Sequence, residues 1–396
     1  MSVDPAIVRF DQPGHRLHEI NARLRTAGPA VPVDLLDGVR AWSVTRYDVL
    51  CRLTKDERVS RDAQRHWPAL PSVPTTWPLH QFLVSPTVLN AYGADHTRLR
   101  TAMQGAFSPA HVRDLEIALR ERVPVLLDSL GTSGSREVVD VRAEYAHVLA
   151  GETICDLFGV DRSRREETKA VIHAFTVPSP DADPDAVTHS TLAFLRSLLR
   201  PGSPDLSLIS TLLSSGLTDE ERVLALAVTV AGGVPSSTGL ITNAVHALLT
   251  HPEQLSSVTG GDTSWAAVVE ETLRADAPVQ HMPLRYAVAD IDLGEGVVIK
   301  QGEAIIMGFG AGGRDPQVNG PAAAVFDAGR ENRTHVAFGH GVHRCIAEPL
   351  GRLLAVTALS ALFERFPQLR LATPSAELPL LPTFVFHGKA SLPVVV

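Results

Sequence analysis

Residues 335–352 read HVAFGHGVHRCIAEPLGR, and this stretch decides the fold. Gly339 and Gly341 make a turn that leads into Cys345. An amphipathic helical pattern follows at once through Leu350, Leu353, Leu354, Val356, Leu359, Leu362 and Phe363. The arrangement sets a cysteine sulfur at a helix N-terminus, where unpaired backbone N–H groups and the positive end of the dipole favour a thiolate. The glycines permit a tight turn and a close approach to something large and flat. Two blander readings compete. A cysteine near a helix start is most often a core residue. His335, His340, His343 and Cys345 lie close enough in sequence to suggest zinc, but structural zinc sites favour paired cysteines, and the chain has no C-x-x-C.

A thiolate held in this way is a strong axial ligand for haem iron and pushes electron density toward O–O cleavage. The run FGHGVHRCIAEPLGR resembles the haem-binding signature of the cytochrome P450 family in its soluble bacterial form. Phe338, Gly339, Gly341, His343, Cys345, Leu350 and Arg352 stand where the pattern asks. Ala347 departs from it, since the family usually has glycine two residues after the cysteine; alanine is the mildest change there. The resemblance implies haem b with Cys345 as the metal ligand. It also implies a mainly α (α+β) fold, a helical domain with a small β-rich side. In that fold haem lies between the long central helix and the cysteine-ligand helix. It covers Trp42 to Val396 with its motifs in order, and residues 1–396 are read as one domain.

Composition narrows the partners. A net charge of −8 over 396 residues argues against nucleic acid, because phosphate binding needs a basic surface. Three cysteines give no disulfide framework and fit a reducing compartment. The N-terminal residues lack a signal-peptide pattern, and no unbroken apolar run is long enough to span a bilayer. A soluble cytoplasmic protein, not bound to membrane, is the expectation.

Outside the cysteine stretch, residues 16–27 predict a short helix, and 41–60 a strand, a turn and a helix with Cys51 on its apolar face. Residues 66–93 are Pro-rich and aromatic without a clear period, and such a stretch is more often functional than idle. By resemblance it arches over the substrate. His96 and Arg100, four apart on one helical face, suit a two-point grip on a carboxylate. The family uses matching positions to hold a haem propionate, and Arg285 and His343 match two more.

Residues 217–255 hold the longest helical pattern, with Thr218 and Glu221 placed as a capping box and Pro252 ending it. By resemblance this helix crosses the distal face of the haem, where the family carries Ala-Gly-x-Asp/Glu-Thr. Here Gly232 and Gly233 fall on the Ala-Gly pair, Pro235 on the acid and Ser236 on the alcohol; anchoring on Ala231 instead puts Val234 and Pro235 at those positions. Neither register has a carboxylate. Pro235 cannot donate to the Ala231 carbonyl and should kink the helix. Pro235, Ser236 and Ser237, with Thr238 nearby, are therefore the candidates for organising oxygen and protons.

Glu271 and Arg274 share a helical face and, by resemblance, form a buried network with Arg330. Gly233, Val234, Val279, Gln280, Met282, Phe384 and Val385 are the expected substrate-pocket residues. Residues 289–316 alternate as a hairpin does, and the C-terminal 378–396 predict a last hairpin.

The resulting expectation is a haem-thiolate monooxygenase that uses O2 to oxidise a small, largely apolar molecule in secondary metabolism. Its electrons would come from a ferredoxin-type donor in trans, docked near Arg333, Arg344 and Arg352, and the protein would be a monomer. The missing acid keeps oxidative coupling open, because GGVPSST distantly resembles cyclodipeptide-coupling members. A haem-binding protein without turnover also stays open. The peroxide-using, fatty-acid-binding pattern, Arg-Pro, is absent because Val234 precedes the proline.

Overall fold

The computed structural model describes residues 8–10, 16–131, 138–179 and 181–396. Its helices of eleven residues or more are α1 (Leu17–Ala27), α2 (Gly93–Met103), α3 (Pro109–Gly131), α4 (His147–Phe158), α5 (Arg165–Thr176), α6 (Pro184–Leu198), α7 (Asp219–Thr250), α8 (Trp265–Ala275) and α9 (Glu348–Arg365). A smaller sheet side is built from β1 (Val8–Arg9), β2 (Val31–Asp34), β3 (Arg40–Val44), β4 (Val59–Ser60), β5 (Met282–Ala287) and β6 (Ala304–Met307), in the order β1-β2-β3-β6-β5-β4. The expected helical domain with a small β-rich side is what forms.

α7 is organised by its ends. Thr218 caps it and Glu221 returns the bond, so two backbone donors that would otherwise be orphaned are satisfied. The helix ends at Thr250, and Pro252 starts a separate short helix. In between, α7 continues through Pro235 as one helical run. Ser236 Oγ donates to the Gly232 carbonyl at 2.5 Å and lies 3.3 Å from that of Gly233. Among the described residues α7 alone is long and apolar enough to cross a bilayer; 50 % of that window is buried within the protein. Its Leu240, Ile241, Ala244 and Leu248 pack in one core with Leu354, Ala358, Leu359 and Leu362 of α9. The two helices are thereby fixed against each other by apolar burial.

The strand, turn and helix expected over 41–60 appear as β3, a helix at Tyr47–Leu53 and β4, with Cys51 half-buried rather than fully enclosed. The stretch over 66–93 is less irregular than its composition suggests. It carries short helical turns at Leu70–Ser72 and His80–Val84, and Trp67, Trp77 and Leu83 are buried against the sheet side. The hairpin expected over 289–316 is confined to Ile291–Gly294 paired with Val297–Ile299, after which β6 joins the main sheet. The C-terminal hairpin reduces to a single bridge, Leu380 to Lys389. Pro393–Val395 instead pairs with Arg370–Leu371 and Val138–Asp140.

Glu271 and Arg274 are both fully buried and joined at 2.7 Å, and Arg330 Nε lies 3.1 Å from Glu271. Arg274 also donates to the carbonyls of Gly313, Ala323 and Val325 at 2.6–2.8 Å. The pair thus ties α8 to the irregular segment that leads toward the cysteine loop. Gly313 is required here, since a Cβ would lie 2.2 Å from the Arg274 carbonyl oxygen. Glu271→Gln leaves two buried guanidinium groups without their acid, and is expected to cost roughly 3–5 kcal/mol of stability, read as a fall in the urea midpoint.

Candidate functional site

The cysteine loop is shaped by two left-handed glycines, Gly339 at φ 73° and Gly341 at φ 71°. A Cβ on Gly341 would lie 2.1 Å from the Thr54 carbonyl oxygen, so its close approach is to protein backbone and not to a flat ligand. The Cys345 N–H donates to the Phe338 carbonyl at 2.8 Å, closing the loop. Phe338 is held in turn by the Arg352 guanidinium, 4.7 Å above its ring. Arg352 is itself anchored to Glu270 and Glu348.

α9 begins at Glu348, so the sulfur sits ahead of the helix and not on its first turn. Burial dominates its electrostatics and pushes the thiol above its ordinary range. The Ala347 N–H, Arg100 and Arg352 pull it down, while Glu348 pushes it further up. Cys345 counts as exposed by surface area, but desolvation by surrounding protein is the stronger influence on the sulfur. Burial thus works against the thiolate that a helix N-terminus would favour, and ligation to a metal would displace the thiol proton.

The zinc alternative fails on direction. His335 bonds Glu270 at 3.0 Å and His340 bonds Thr54 at 2.8 Å, while the His343 ring lies 4.1 Å from that of His96. Among the described residues, a different trio brings metal-ligand atoms together. His18 and His387 each place Nε2 3.2 Å from Asp276 Oδ1. The positive charges of Arg314 and Lys389 bear on this trio and oppose a divalent ion. It ties the N-terminal helix to the C-terminal segment.

His96 from α2, Arg285 from β5 and His343 from the cysteine loop come together, with Arg100 one turn beyond His96. Arg285 is buried with its Nε unpartnered, and so is His96 Nε2. Burial lowers His96 to about 4, with Arg100, Arg61 and Arg285 adding repulsion. The same influences push His343 far below the usual imidazole range, and Arg285 falls to about 9 through burial and the neighbouring Arg61. No acid acts on these three groups. Buried donors and cations with no protein anion suit an external ligand with two carboxylates. With a sulfur nearby, the set fits iron-protoporphyrin IX. Arg61 went unnoticed in the sequence, where an arginine directly after a two-residue strand gives only a faint signal.

On the opposite side, Gly232 faces open space, whereas a Cβ on Gly233 would lie 3.2 Å from Ile154. Ser236, four residues after Gly232, shares its side of α7. Ser237 is half-buried. Thr238 is buried with its hydroxyl unpartnered.

The pocket expectations are corrected in part. Val234 is fully buried in an apolar core, and Gly233 packs toward Ile154. Gln280 is fully buried, with Nε2 on the Ala277 carbonyl and its amide against Gly310. Phe384 is buried on Phe10, their ring centres 5.7 Å apart. Side chains enclosed on all sides cannot meet a substrate. Val279, Met282 and Val385 are half-buried.

A haem-thiolate protein is the class that this fold and site define. The cytochrome P450 family model matches residues 265–387. Over 98 % of its length, covering 96 % of the relative, the chain is 36 % identical to the 2-hydroxy-5-methyl-1-naphthoate 7-hydroxylase of Streptomyces carzinostaticus. It is 32 % identical to the 6-deoxyerythronolide B hydroxylase of Saccharopolyspora erythraea, over 94 % of each chain. Among solved structures, CYP154A1 from Streptomyces coelicolor A3(2) is 38 % identical with a TM-score of 0.87, covering 98 % of this chain and 99 % of that one. CYP154C4 from Streptomyces sp. ATCC 11861 is 35 % identical with a TM-score of 0.90, covering 98 % of each. The chain belongs to the cytochrome P450 family: it is a haem b monooxygenase that acts on small molecules with O2.

Because iron needs the sulfur deprotonated, haem uptake releases a proton. The thiol is raised, so the apparent haem affinity should climb about tenfold per pH unit from about pH 7 to about pH 8. His96 and His343 are already neutral there and leave the slope unchanged. Soret titrations at several pH values read this directly, and Cys345→Ser should abolish the thiolate-type band of the reduced carbon monoxide complex.

Proposed function

We propose that Cys345 is the axial ligand and that His96, Arg100, Arg285 and His343 hold the haem carboxylates. Phe338 would pack beside the ligand loop, and residues 1–396 would work as a single domain. The observation that carries this reading is the cluster of basic groups around buried Arg285 and His96, which lacks an acid among the described residues and stands beside the Cys345 sulfur. The bound haem supplies activation of dioxygen for insertion into an unactivated bond. The chain supplies the rest: it fixes the sulfur through the Cys345–Phe338 backbone bond, excludes water by packing α7 onto α9, and presents hydroxyls on the distal side.

The substrate is a small, largely apolar molecule of secondary metabolism, a reading supported by relatives named as a naphthoate and a macrolide-precursor hydroxylase. Val279, Met282 and Val385 would border it, along the segments that flank Gly232 and Ser236. Electrons arrive from a ferredoxin-type donor in trans. Of Arg344 and Arg352, Arg344 is the more available docking charge, since it is well exposed and paired with Glu348 alone, while Arg352 is held by both Glu270 and Glu348. The protein acts as a monomer in the cytoplasm.

Pro235 decides the distal chemistry. Where the family's acid would stand there is no titratable group, and the Ser236 proton is held on the Gly232 carbonyl. For Ser236 to pass a proton inward, its hydroxyl must turn from that carbonyl toward the open side. Pro235 removes the helical donor to Ala231, and the loosened backbone beside two glycines makes room for a water to do so. A second reading, oxidative coupling that removes two hydrogens from substrate, rests on the same missing acid and on the distant likeness of GGVPSST to coupling members of the family.

Turnover with a surrogate ferredoxin system, followed by product mass, separates the two readings: gain of one oxygen for insertion, loss of two hydrogens for coupling. Ser236→Ala should lower the ratio of product formed to reductant consumed several-fold while leaving substrate-induced spectral shifts in place. Pro235→Ala should change the same ratio; an unchanged ratio overturns the role given to the proline.

A further inference from the structure

Arg61 has no role in the reading so far, yet it is a buried guanidinium with no carboxylate paired to it among the described residues. β4 runs antiparallel to β5, with Val59 opposite Ala287 and Ser60 opposite Tyr286. Carried one residue further, that register sets Arg61 against Arg285. Both are 2 % exposed. Like charges facing each other across a strand pair are unfavourable, and burial removes the water that would screen them. Among the described residues no carboxylate repairs this. Arg61 Nη2 donates to the Pro283 carbonyl at 3.2 Å, while its Nε and that of Arg285 have no partner. Its neighbour Asp62 is occupied elsewhere, accepting from the Arg65 N–H at 3.0 Å as the cap of a short helical turn. The other groups that share this corner are His96, His343, Arg100 and the Tyr286 phenol, and none is a carboxylic acid; burial pushes the phenol up, so it stays neutral. An assembly so one-sided is stable only with an anion from outside.

We propose that Arg61 is a third guanidinium on the haem carboxylates, beside Arg100 and Arg285. The proposal rests on the reading that this cluster holds those carboxylates. Its consequence is electrostatic. Three guanidinium groups against two carboxylates leave positive charge beside the haem. Positive charge there favours the reduced iron, so Arg61 also eases delivery of the first electron.

The test compares holoenzyme carrying ordinary haem with holoenzyme carrying haem dimethyl ester, whose carboxylates are blocked. Wild type, Arg61→Gln and Arg61→Lys are measured for haem transfer to apomyoglobin and for midpoint potential. A lost charge-assisted contact predicts that Arg61→Gln releases ordinary haem at least about tenfold faster than wild type. It also predicts a lower midpoint potential, and release of the dimethyl ester at the wild-type rate. Arg61→Lys keeps the charge and should hold the wild-type potential, which serves if the glutamine variant does not fold. Equal acceleration for both haems would make Arg61 a purely structural residue and overturn the proposal. So would unchanged release and potential with ordinary haem, or a lysine variant whose potential falls. If wild type itself held the dimethyl ester as tightly as ordinary haem, the carboxylate reading of the whole cluster would fall, and Arg61 with it.

Discussion

The structure is arranged around a buried excess of positive charge that the polypeptide does not neutralise. Arg285 and His96 sit in the interior beside the half-buried His343, and among the described residues no acid faces them. The two imidazoles meet the difficulty by staying neutral, because burial and adjacent cations both disfavour their protonation. Arginine has no such escape at any ordinary pH. A fold that buries guanidinium groups in this way is incomplete without an anionic ligand, and the P450 family's haem b brings two carboxylates and an iron for the nearby sulfur. On the reading proposed above, the cofactor is a part of the fold's charge balance as much as of its chemistry.

A different solution operates a few residues away. Glu271, Arg274 and Arg330 are also buried charges, but here acid and base belong to the same chain and the guanidinium of Arg274 is saturated by carbonyls. Such a network holds irregular backbone in place where no regular helix or strand could. The segment that it fixes carries the chain to the cysteine loop. That loop has little regular structure of its own: two left-handed glycines, one backbone bond to Phe338 and the Arg352 clamp define it.

The distal helix is where this chain differs most from the pattern it otherwise follows. Pro235 stands inside the helix and removes a backbone donor, and Ser236 bonds to the Gly232 carbonyl one turn earlier. The helix nonetheless runs on, because its length and its apolar contacts with α9 outweigh one missing bond.

Much of this was written in the sequence. The glycine spacing before Cys345, the Glu271–Arg274 pair and the Thr218–Glu221 cap are local patterns, and local patterns survive folding because their physics is set within a few residues. His96, Arg285 and His343 could be named singly but not assembled, since only the fold brings α2, β5 and the cysteine loop to one place. Tertiary structure alone decided what depends on enclosure. Val234, Gln280 and Phe384 proved to be interior, the C-terminal hairpin gave way to pairing with distant strands, and desolvation by surrounding protein pushes the Cys345 thiol up. Arg61 belongs with these. Its meaning lies in a strand register and in the absence of a facing acid, and neither is a property of neighbours along the chain.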